Sequence, residues 1–421
     1  MDKTAIELFA GVGGFRVGLN RIKTFDENGK AIENGPWKFV FANQWEPSTK
    51  SQHAYDCYAL RFGKEDASNL DISLVDKKKI PDHTLLTAGF PCQDYSVAHP
   101  KNSEKGIEGK KGVLWWQIND ILKAKKPKFA LLENVDRLLK APSSQRGQAF
   151  GIILRCFEDA GYGVQWRVIN AADYGHPQKR RRTFIFAFHK STSYYKRFAG
   201  LAKKSKKPEQ IIINDMMFSP AFPCALKEGA VLKEGNLGAD KYSDLVELSK
   251  NFAFTFCNAG YCLNSIIKTV NVTSTYTTSP KTLGECLDED NVPEFCYRPS
   301  EEKFRYLKGA KKIIRIAKNG HEYIYSEGPI PFPDRLDQPG RTMLTSEGTT
   351  NRSSHYILDP KTNRYRILTP VECERLDEFP DDWTNTGMPQ KFRYFIAGNA
   401  LVTGLITSMG EQIEKIVDSE K

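Results

Sequence analysis

Four side chains that could perform chemistry stand next to apolar runs of the sequence. Cys92 follows one run, in the turn GFPCQ, and Glu133 ends another. Arg180 and Arg182 precede a third run and face the same side of an extended chain. A thiolate is a nucleophile, a carboxyl group can bind or protonate a ring nitrogen, and guanidinium groups can hold an oxygen or a phosphate. The set suits covalent catalysis.

Each of these side chains also has a plainer interpretation. A lone cysteine is usually buried and inert, and a carboxylate at a strand end can simply stabilise a helix N-terminus. The sequence QKRRR could be a solvated basic patch, which is the interpretation that fits Lys179 and Arg181. The Phe-Pro-Cys-Gln context favours a reactive thiol at Cys92.

A glycine-rich turn lies near the start of the chain, in the sequence IELFAGVGGFRVGL (residues 6–19). Gly11, Gly13 and Gly14 allow a sharp turn between a strand and a helix and a close approach to a ligand. A dinucleotide fingerprint would need a further glycine where Arg16 stands, and a phosphate-binding loop would need Gly-Lys-Ser/Thr. The turn therefore suits a nucleoside ligand without a pyrophosphate, and an ordinary strand–helix turn is the alternative.

The ends of the next two predicted strands carry acidic and aromatic residues. Trp45 and Glu46 end the second strand, where a ribose hydroxyl is commonly bound, and Trp45 could stack on adenine or belong to the core. Asp71 and Ile72 follow the third strand. Because the carboxyl ends of parallel strands meet at one edge, these residues would line one crevice with the glycine turn.

Alternating strand and helix patterns predict an α/β fold with a largely parallel sheet. The predicted strands span residues 5–9, 39–43, 84–88, 129–132, 164–169 and 183–188, and predicted helices span 113–123, 150–159 and 402–417. Residues 189–365 show no clear period and predict a second, irregular domain. A regular pattern returns from residue 366.

Composition narrows the class of protein. A chain of 421 residues exceeds one compact domain, and its net charge of +10 points to an anionic partner such as nucleic acid. It has no apolar run long enough for a membrane span and no leader pattern, so we expect a cytoplasmic location. Nine cysteines without CxxC spacing predict reduced thiols and no metal site.

Six segments in this order resemble the cytosine-5 DNA methyltransferase family of bacterial restriction–modification systems. They are FAGVGG, GFPCQ, ENV, QKRRR, RYRILTPVECERLDEFPDDW and GNAL. The resemblance implies a Rossmann-like S-adenosylmethionine-dependent methyltransferase domain, residues 1–188 with 366–421. It also implies a smaller irregular target-recognition domain, residues 189–365. The C-terminal helix, with Gly398 and Asn399, would fold back to complete the cofactor pocket.

The same resemblance implies roles for individual residues. Cys92 would attack carbon 6 of a flipped cytosine, Glu133 would bind N3 and the amino group, and Arg182 would hold O2 with Arg180 close by. DNA contacts are expected from Gln93, Ser96, Arg341 and Thr342. S-adenosylmethionine would be held by Phe9, Gly11, Val12, Gly14, Trp45, Glu46, Asp71, Ile72, Pro91, Leu114 and Asn399.

Some features depart from the family pattern or stay open. The family commonly has Glu-Trp-Asp where this chain has Gln44-Trp45-Glu46, so either Gln44 or Glu46 would bind the ribose, and we favour Glu46. Asp71 is chosen over Asp66, and Ala400 stands where a small hydroxyl residue is frequent.

The polar, basic segment 97–112 predicts a loop that closes over DNA, with a plain surface loop as the alternative. The expected partners are double-stranded DNA and a cognate restriction endonuclease, and the expected state is a monomer. An RNA (tRNA) cytosine-5 methyltransferase is the alternative enzyme, and a non-catalytic DNA-binding module is the alternative class. A dinucleotide oxidoreductase fails on the glycine spacing.

Overall fold

Short apolar runs of the sequence form strands, and the amphipathic stretches between them form helices. The computed structural model describes residues 1–47, 49–90, 113–288, 290, 292–297, 299–317 and 320–420. Pro91, Cys92, Gln93 and Ser96, together with the predicted closing loop 97–112, lie outside the described residues.

The strands and helices predicted from the sequence are all present, with ends that differ by at most three residues. The strands are Thr4–Leu8 (β1), Lys38–Asn43 (β2), Ala67–Ser68 (β3), Leu85–Gly89 (β4), Phe129–Val135 (β5), Tyr162–Asn170 (β6), Arg181–His189 (β7), Cys224–Leu226 (β8), Lys233–Asn236 (β9), Ala259–Leu263 (β10), Ile266–Val270 (β11), Val272–Ser274 (β12), Lys311–Ile316 (β13), Glu322–Glu327 (β14), Tyr356–Leu358 (β15) and Tyr365–Ile367 (β16). The helices are Gly14–Leu19 (α1), His53–Phe62 (α2), Val113–Lys125 (α3), Gln148–Asp159 (α4), Ser193–Lys204 (α5), Pro208–Asn214 (α6), Leu245–Asn251 (α7), Glu301–Lys308 (α8), Pro370–Leu376 (α9), Gln390–Asn399 (α10) and Thr403–Ser419 (α11).

A 10-stranded sheet in the order β3-β2-β1-β4-β5-β7-β6-β10-β11-β9 organises the molecule. The first five strands in this order, β3, β2, β1, β4 and β5, are parallel to one another, as the strand–helix alternation predicts. The expectation of a largely parallel sheet is wrong beyond β5, because every later pair is antiparallel. One of these pairs is a hairpin: β10 and β11 are joined by Asn264 and Ser265, both with positive φ, which is the geometry of a tight turn.

The sheet continues past the end of the predicted catalytic domain at residue 188. Strand β10 pairs with β6, and β11 and β9 extend the same sheet, although all three lie in the region 189–365. The first part of that region is therefore hydrogen bonded to the central sheet. Its later part carries two separate two-stranded ribbons, β13–β14 and β15–β16. A target-recognition domain over 189–365 stays a prediction.

The core lies on both faces of the sheet, which explains why its central strands are apolar without alternation. One face packs Phe129, Phe184 and Phe186 against α11, and the other packs Ile6, Leu86 and Leu132 against α3 and α4. Helix α11 lies directly on α1.

A Cβ at Gly18 would meet Ile406 at 2.5 Å, so the contact between α1 and α11 depends on that glycine. The C-terminal helix thus folds back as expected. Gly398 and Asn399, however, end α10 rather than lying in that last helix.

Among the described helices, none is long and apolar enough to cross a membrane. Over the same part of the chain, no group of three or more metal-ligating side chains comes together.

Candidate active site

Glu133 and Arg182 form an ion pair at the edge of the sheet where the parallel strands end. Glu133 lies two residues before the end of β5. Antiparallel pairing places Arg182 of β7 opposite Val135, the last residue of β5. The Nε atom of Arg182 lies 2.7 Å from Oε1 of Glu133, and each side chain is 15% exposed. Because both groups are partly open to solvent, they can exchange this contact for contacts to a bound base. The structure therefore brings these two predicted catalytic residues together.

The strand that leads to Cys92 ends beside the same pair. Gly89 is the register partner of Glu133, and a Cβ on Gly89 would lie 3.4 Å from the Oε2 atom of that glutamate. The side-chain amide of Asn134 donates a hydrogen bond of 2.7 Å to the carbonyl of Phe90. Phe90 is two residues before Cys92 in the sequence. Cys92 itself lies outside the described residues.

The other eight cysteines are free, buried and poor nucleophiles. Burial raises the pKa of every one of them, to about 12 for Cys57 and Cys156 and to about 11 for Cys286. A thiol must lose its proton to attack carbon, so these cysteines are suited to packing. The plain interpretation of a buried, inert cysteine thus fits these eight.

Arg180 is placed differently from its neighbour Arg182. Its guanidinium is 1% exposed, and it donates hydrogen bonds to the carbonyl oxygens of Met343 (3.1 Å) and Gly398 (3.0 Å). Burial, followed by the nearby charge of Arg182, lowers the pKa of Arg180 to about 10. Arg180 also donates to the side chain of Gln178 (3.4 Å), and its part in holding the base stays a prediction. Arg180 thus joins the chain just before β7 to residue 343 and to the end of α10.

Gln178 and Asp377 are functional candidates that the sequence analysis missed. Gln178 is fully buried, accepts a hydrogen bond from the backbone N–H of Met343 (3.1 Å) and donates one to Asp377 (2.8 Å). Burial raises the pKa of Asp377 to about 7, against the lowering effect of Arg180. Gln178 opens the QKRRR segment, so its place in that motif was the available signal.

The glycine turn forms an open cradle after β1. Phe9, Gly11 and Gly13 all have positive φ, and the backbone N–H of Gly11 donates a 2.7 Å hydrogen bond to the side chain of Gln44. A Cβ at Gly11 would meet no atom within 4 Å. Open space above a strained turn at the sheet edge is where a ligand can approach the backbone closely.

Glu7 lies beneath this turn and fixes the start of α1. Its carboxyl group is 1% exposed and accepts a 2.9 Å hydrogen bond from the backbone N–H of Phe15. Burial raises the pKa of Glu7 to about 8, opposed by the Phe15 hydrogen bond and the charge of Arg16. Its second oxygen has no hydrogen-bond partner among the described residues.

We expect Glu7→Gln to flatten the dependence of stability on pH. Between pH 4.5 and about 8 the folded protein keeps a proton on Glu7 that the unfolded chain loses, so stability falls as pH rises through this window. The variant should avoid a loss on the order of a few kcal/mol, and Asp377 should retain a second part of the slope. Thermal unfolding at pH 5.5 and pH 8.5 measures this. Glu27→Gln, at an exposed carboxylate that does not act on Glu7, should keep the wild-type slope; an unchanged slope in Glu7→Gln would contradict the expectation.

The end of β2 binds the glycine turn to the third strand. The backbone N–H of Gln44 donates to the carbonyl of Ser68 (3.0 Å), and the side chain of Asn43 donates to the carbonyl of Leu70 (2.9 Å). Gln44 is therefore committed to holding the turn through Gly11. Glu46 is half-buried, and burial raises its pKa, opposed by His53. Gln44 and Glu46 were the two candidates for binding the ribose. The side chain of Gln44 is occupied by Gly11, whereas the carboxylate of Glu46 stays available.

The remaining predicted cofactor residues fall into buried and accessible groups. Val12 and Ile72 are 3% and 2% exposed and pack in the core. Trp45 is 38% exposed, and Asn399 is exposed at the end of α10. Asp71 accepts a hydrogen bond from the backbone N–H of Ser73 and so caps a short helical turn.

Two further predicted cofactor residues take part in packing. A Cβ at Gly14 would meet the side chain of Leu401 at 3.2 Å, so that glycine allows the C-terminal segment to pack closely. Leu114 is partly buried against the core that α3 covers.

The two described residues predicted to contact DNA make internal bonds instead. Arg341 pairs with the buried carboxylate of Asp334 at 2.5 Å and donates to the carbonyls of Ser353 and Ser354. Thr342 donates from its hydroxyl to the carbonyl of Lys179. The expectation that these side chains contact DNA stays a prediction. These bonds hold residues 341 and 342 in place, and the bond from Thr342 joins them to the loop that precedes β7.

Comparison with known proteins agrees with this arrangement. The model of the family described as C-5 cytosine-specific DNA methylase matches residues 3–415. A type II methyltransferase of Staphylococcus aureus, M.Sau3AI, is 47% identical over 98% of this chain and 95% of its own length. M.SsoII of Shigella sonnei is 36% identical over 98% of this chain and 80% of its own length.

Solved structures show the same fold at low sequence identity. A DNMT2 variant of Spodoptera frugiperda superposes with a TM-score of 0.58 at 13% identity and covers 99% of both chains. The Dnmt2 methyltransferase of S. pombe has a TM-score of 0.56 at 14% identity, over 98% of both chains. The family match and the type II relatives decide for DNA over the RNA alternative. The chain belongs to the C-5 cytosine-specific DNA methylase family and is a DNA cytosine methyltransferase.

Proposed function

We propose that this methyltransferase acts on a cytosine extruded from duplex DNA, with Cys92 as the nucleophile. The observation that carries the proposal is the Glu133–Arg182 pair, 2.7 Å apart, beside the end of the strand that leads to Cys92. A cytosine inside the base stack exposes neither face of its ring, so it must be flipped, at a cost of roughly a few kcal/mol.

In this proposal each protein group has a defined task. The Cys92 thiolate forms a bond to C6, and the electrons of the C5–C6 double bond move toward C5 and the N3 side of the ring. The Glu133 carboxyl group contacts N3 and the amino group, and Arg182 donates to O2, so the charge that reaches the ring edge is stabilised. After methylation, loss of the C5 proton and breakage of the S–C6 bond restore the aromatic ring and release the thiolate.

S-adenosylmethionine fits the crevice formed by the glycine turn and the end of β2. The open space above Gly11 admits a ligand against the backbone, and the half-buried carboxylate of Glu46 can accept hydrogen bonds from ribose hydroxyls. Trp45, 38% exposed, offers an aromatic surface at the same edge. When bound, S-adenosylmethionine supplies the methyl group as an electrophilic sulfonium.

We expect Glu46→Gln to weaken binding of S-adenosylmethionine more than it slows turnover. The loss of a charged acceptor for ribose hydroxyls should raise the Kd by roughly tenfold, about 1.4 kcal/mol. Calorimetric titration of the cofactor measures this, and kcat at saturating cofactor should change little. Asp66→Asn removes an exposed carboxylate just before β3 and serves as the control. Equal affinity in Glu46→Gln and wild type would return the ribose to another residue.

The biological setting is a proposal drawn from the relatives. Both full-length relatives are named type II methyltransferases, which supports a modification enzyme whose partner endonuclease acts on the same DNA sequence. Action as a monomer in the bacterial cytoplasm accords with this setting.

Methylation of unmodified genomic DNA, mapped by bisulfite sequencing, tests the proposed function. Wild-type protein with S-adenosylmethionine should protect cytosines at one position of one short duplex sequence, on both strands if that sequence is symmetric. Cys92→Ala, run in parallel, should protect none. Protection scattered without a common sequence, or found equally with the variant, would contradict the proposal.

A further inference from the structure

A basic cleft lies between the β13–β14 ribbon and the segment 341–353 of the recognition region. Its volume is about 640 Å³, and its cationic lining residues are Lys311, Arg315, Arg341 and Arg352. Glu327 is the carboxylate that lines it, and Ser346, Thr350, Asn351 and Ser353 add hydroxyl and amide groups. A surface rich in arginine and small hydrogen-bonding side chains is typical of contacts to phosphate and sugar.

Most cations of the cleft are used to build its walls. Arg352 donates to the carbonyls of Leu307, Gly309 and Gly328, which anchors the base of the ribbon. Lys311 donates to the carbonyl of Leu307 as well. The buried carboxylate of Asp334 holds Arg341 and Lys308, each at 2.5 Å, and the hydrogen bond from Arg341 with the surrounding cations lowers its pKa to about 2 against the effect of burial. The walls are therefore fixed before any ligand binds.

Arg315 is the exception. Its guanidinium carbon lies 3.7 Å from the centroid of the Tyr325 ring, its side chain is exposed, and it lines the cleft. Among the residues that the structure describes, no carboxylate lies within ion-pair distance of it. Stacking on tyrosine fixes the plane of the guanidinium while its N–H groups stay available to an anion.

One wall of the cleft is hydrogen bonded to the chain just before Arg182. The segment that forms one wall starts at Thr342 and Met343, which are bound to Lys179 and Arg180. Leu344 then lines the cleft and is 48% exposed, and its backbone packs on Gly398. A strand of DNA whose cytosine reaches the Glu133–Arg182 pair would therefore pass toward this cleft.

We propose that this cleft holds the sugar–phosphate backbone of the substrate duplex, and that Arg315 contacts one of its phosphates. The inference rests on the proposed function and names the part of the recognition region that grips the DNA. The ribbon places Arg315 on the cleft side. Lys312 lies on the opposite face, because side chains alternate between the two faces along a strand and Lys312 is three residues before Arg315. The two cations thus form a matched pair, one inside the cleft and one outside it.

The test measures affinity for duplex DNA as a function of salt. For Arg315→Ala we expect a Kd raised roughly three- to tenfold and a slope of log Kd against log salt reduced by about 1, the signature of one lost phosphate contact. Arg315→Lys keeps the charge and should recover the slope. Lys312→Ala removes the same charge from the outer face and should retain the wild-type slope. Bisulfite mapping should give the same methylated sequence for all three.

Two results would overturn the proposal. A wild-type slope in Arg315→Ala would show that no phosphate contacts this residue, and a relaxed target sequence would show that Arg315 reads a base. Wild-type methylation of the same duplex, measured in parallel, separates these results from failure of the proposed function. If the wild type transfers no methyl group, the function fails; if it does and the slopes agree, only the cleft fails.

Discussion

We expect Cys92→Ala to reduce methyl transfer by a factor of about 10³ or more, while the protein still binds S-adenosylmethionine and duplex DNA. The loss is large because the thiolate is the only group in the proposed mechanism that makes C5 of cytosine electron-rich. The eight other cysteines cannot replace it, since burial raises the pKa of each. Radiolabelled methyl incorporation into duplex DNA, with gel-shift binding in parallel, measures both properties.

The control for this variant is Cys224→Ala. Cys224 is 7% exposed in β8, and burial raises its pKa, so its loss should leave methyl transfer intact. Substantial turnover in Cys92→Ala would show that the reaction does not pass through this thiol. A loss of activity shared equally by both variants would point to a general effect of removing a thiol.

Glu133→Gln should reduce kcat by roughly 10²- to 10⁴-fold with little effect on cofactor affinity. In the proposed mechanism the carboxyl group binds N3 of the ring, and it also holds Arg182, whose Nε lies 2.7 Å away. An amide retains the size of the side chain but cannot stabilise a proton or positive charge on N3. Steady-state kinetics at saturating DNA and cofactor measure the change.

Asp136→Asn is the matched control for Glu133→Gln. Asp136 directly follows the same strand, and its Oδ2 atom lies 3.5 Å from Nε of Arg181. The side chains of this pair are far more exposed than those of Glu133 and Arg182, at 43% for Asp136 and 61% for Arg181. Removal of that carboxylate should change kcat less than twofold, the range expected for an exposed ion pair. If Glu133→Gln instead loses cofactor affinity at unchanged kcat, Glu133 belongs to the cofactor crevice.

The sequence predicts the parallel half of the fold because its signals are local, whereas only the family resemblance assigns Glu133 and Arg182 to one site. Apolar runs locate β1, β4 and β5, and the carboxyl ends of parallel strands must meet at one edge. The antiparallel half was missed because its pairing joins segments far apart, such as β6 with β10. The order of the strands in the 10-stranded sheet therefore could not be derived from runs of apolar residues alone.

The contacts that Arg180 and Arg341 make could not be foreseen from the sequence, and the roles assigned to these two residues stay predictions. Arg180 binds carbonyls at residues 343 and 398, and the carboxylate of Asp334 occupies Arg341. Neither partner is visible from the spacing of basic residues. Gln44 departs from the family pattern, and its side-chain oxygen accepts a hydrogen bond from the backbone N–H of Gly11, which holds the glycine turn.

The most direct test of the central claim is capture of the Cys92–C6 bond. A duplex that contains the methylated sequence found by bisulfite mapping, with 5-fluorocytosine at the target position, is incubated with the protein and S-adenosylmethionine. Because fluorine cannot leave C5 as a proton does, the thiol cannot be released, and mass spectrometry should show the protein bound to the DNA strand through the peptide that contains Cys92. Protein that methylates the unmodified duplex yet forms no such adduct would contradict the account.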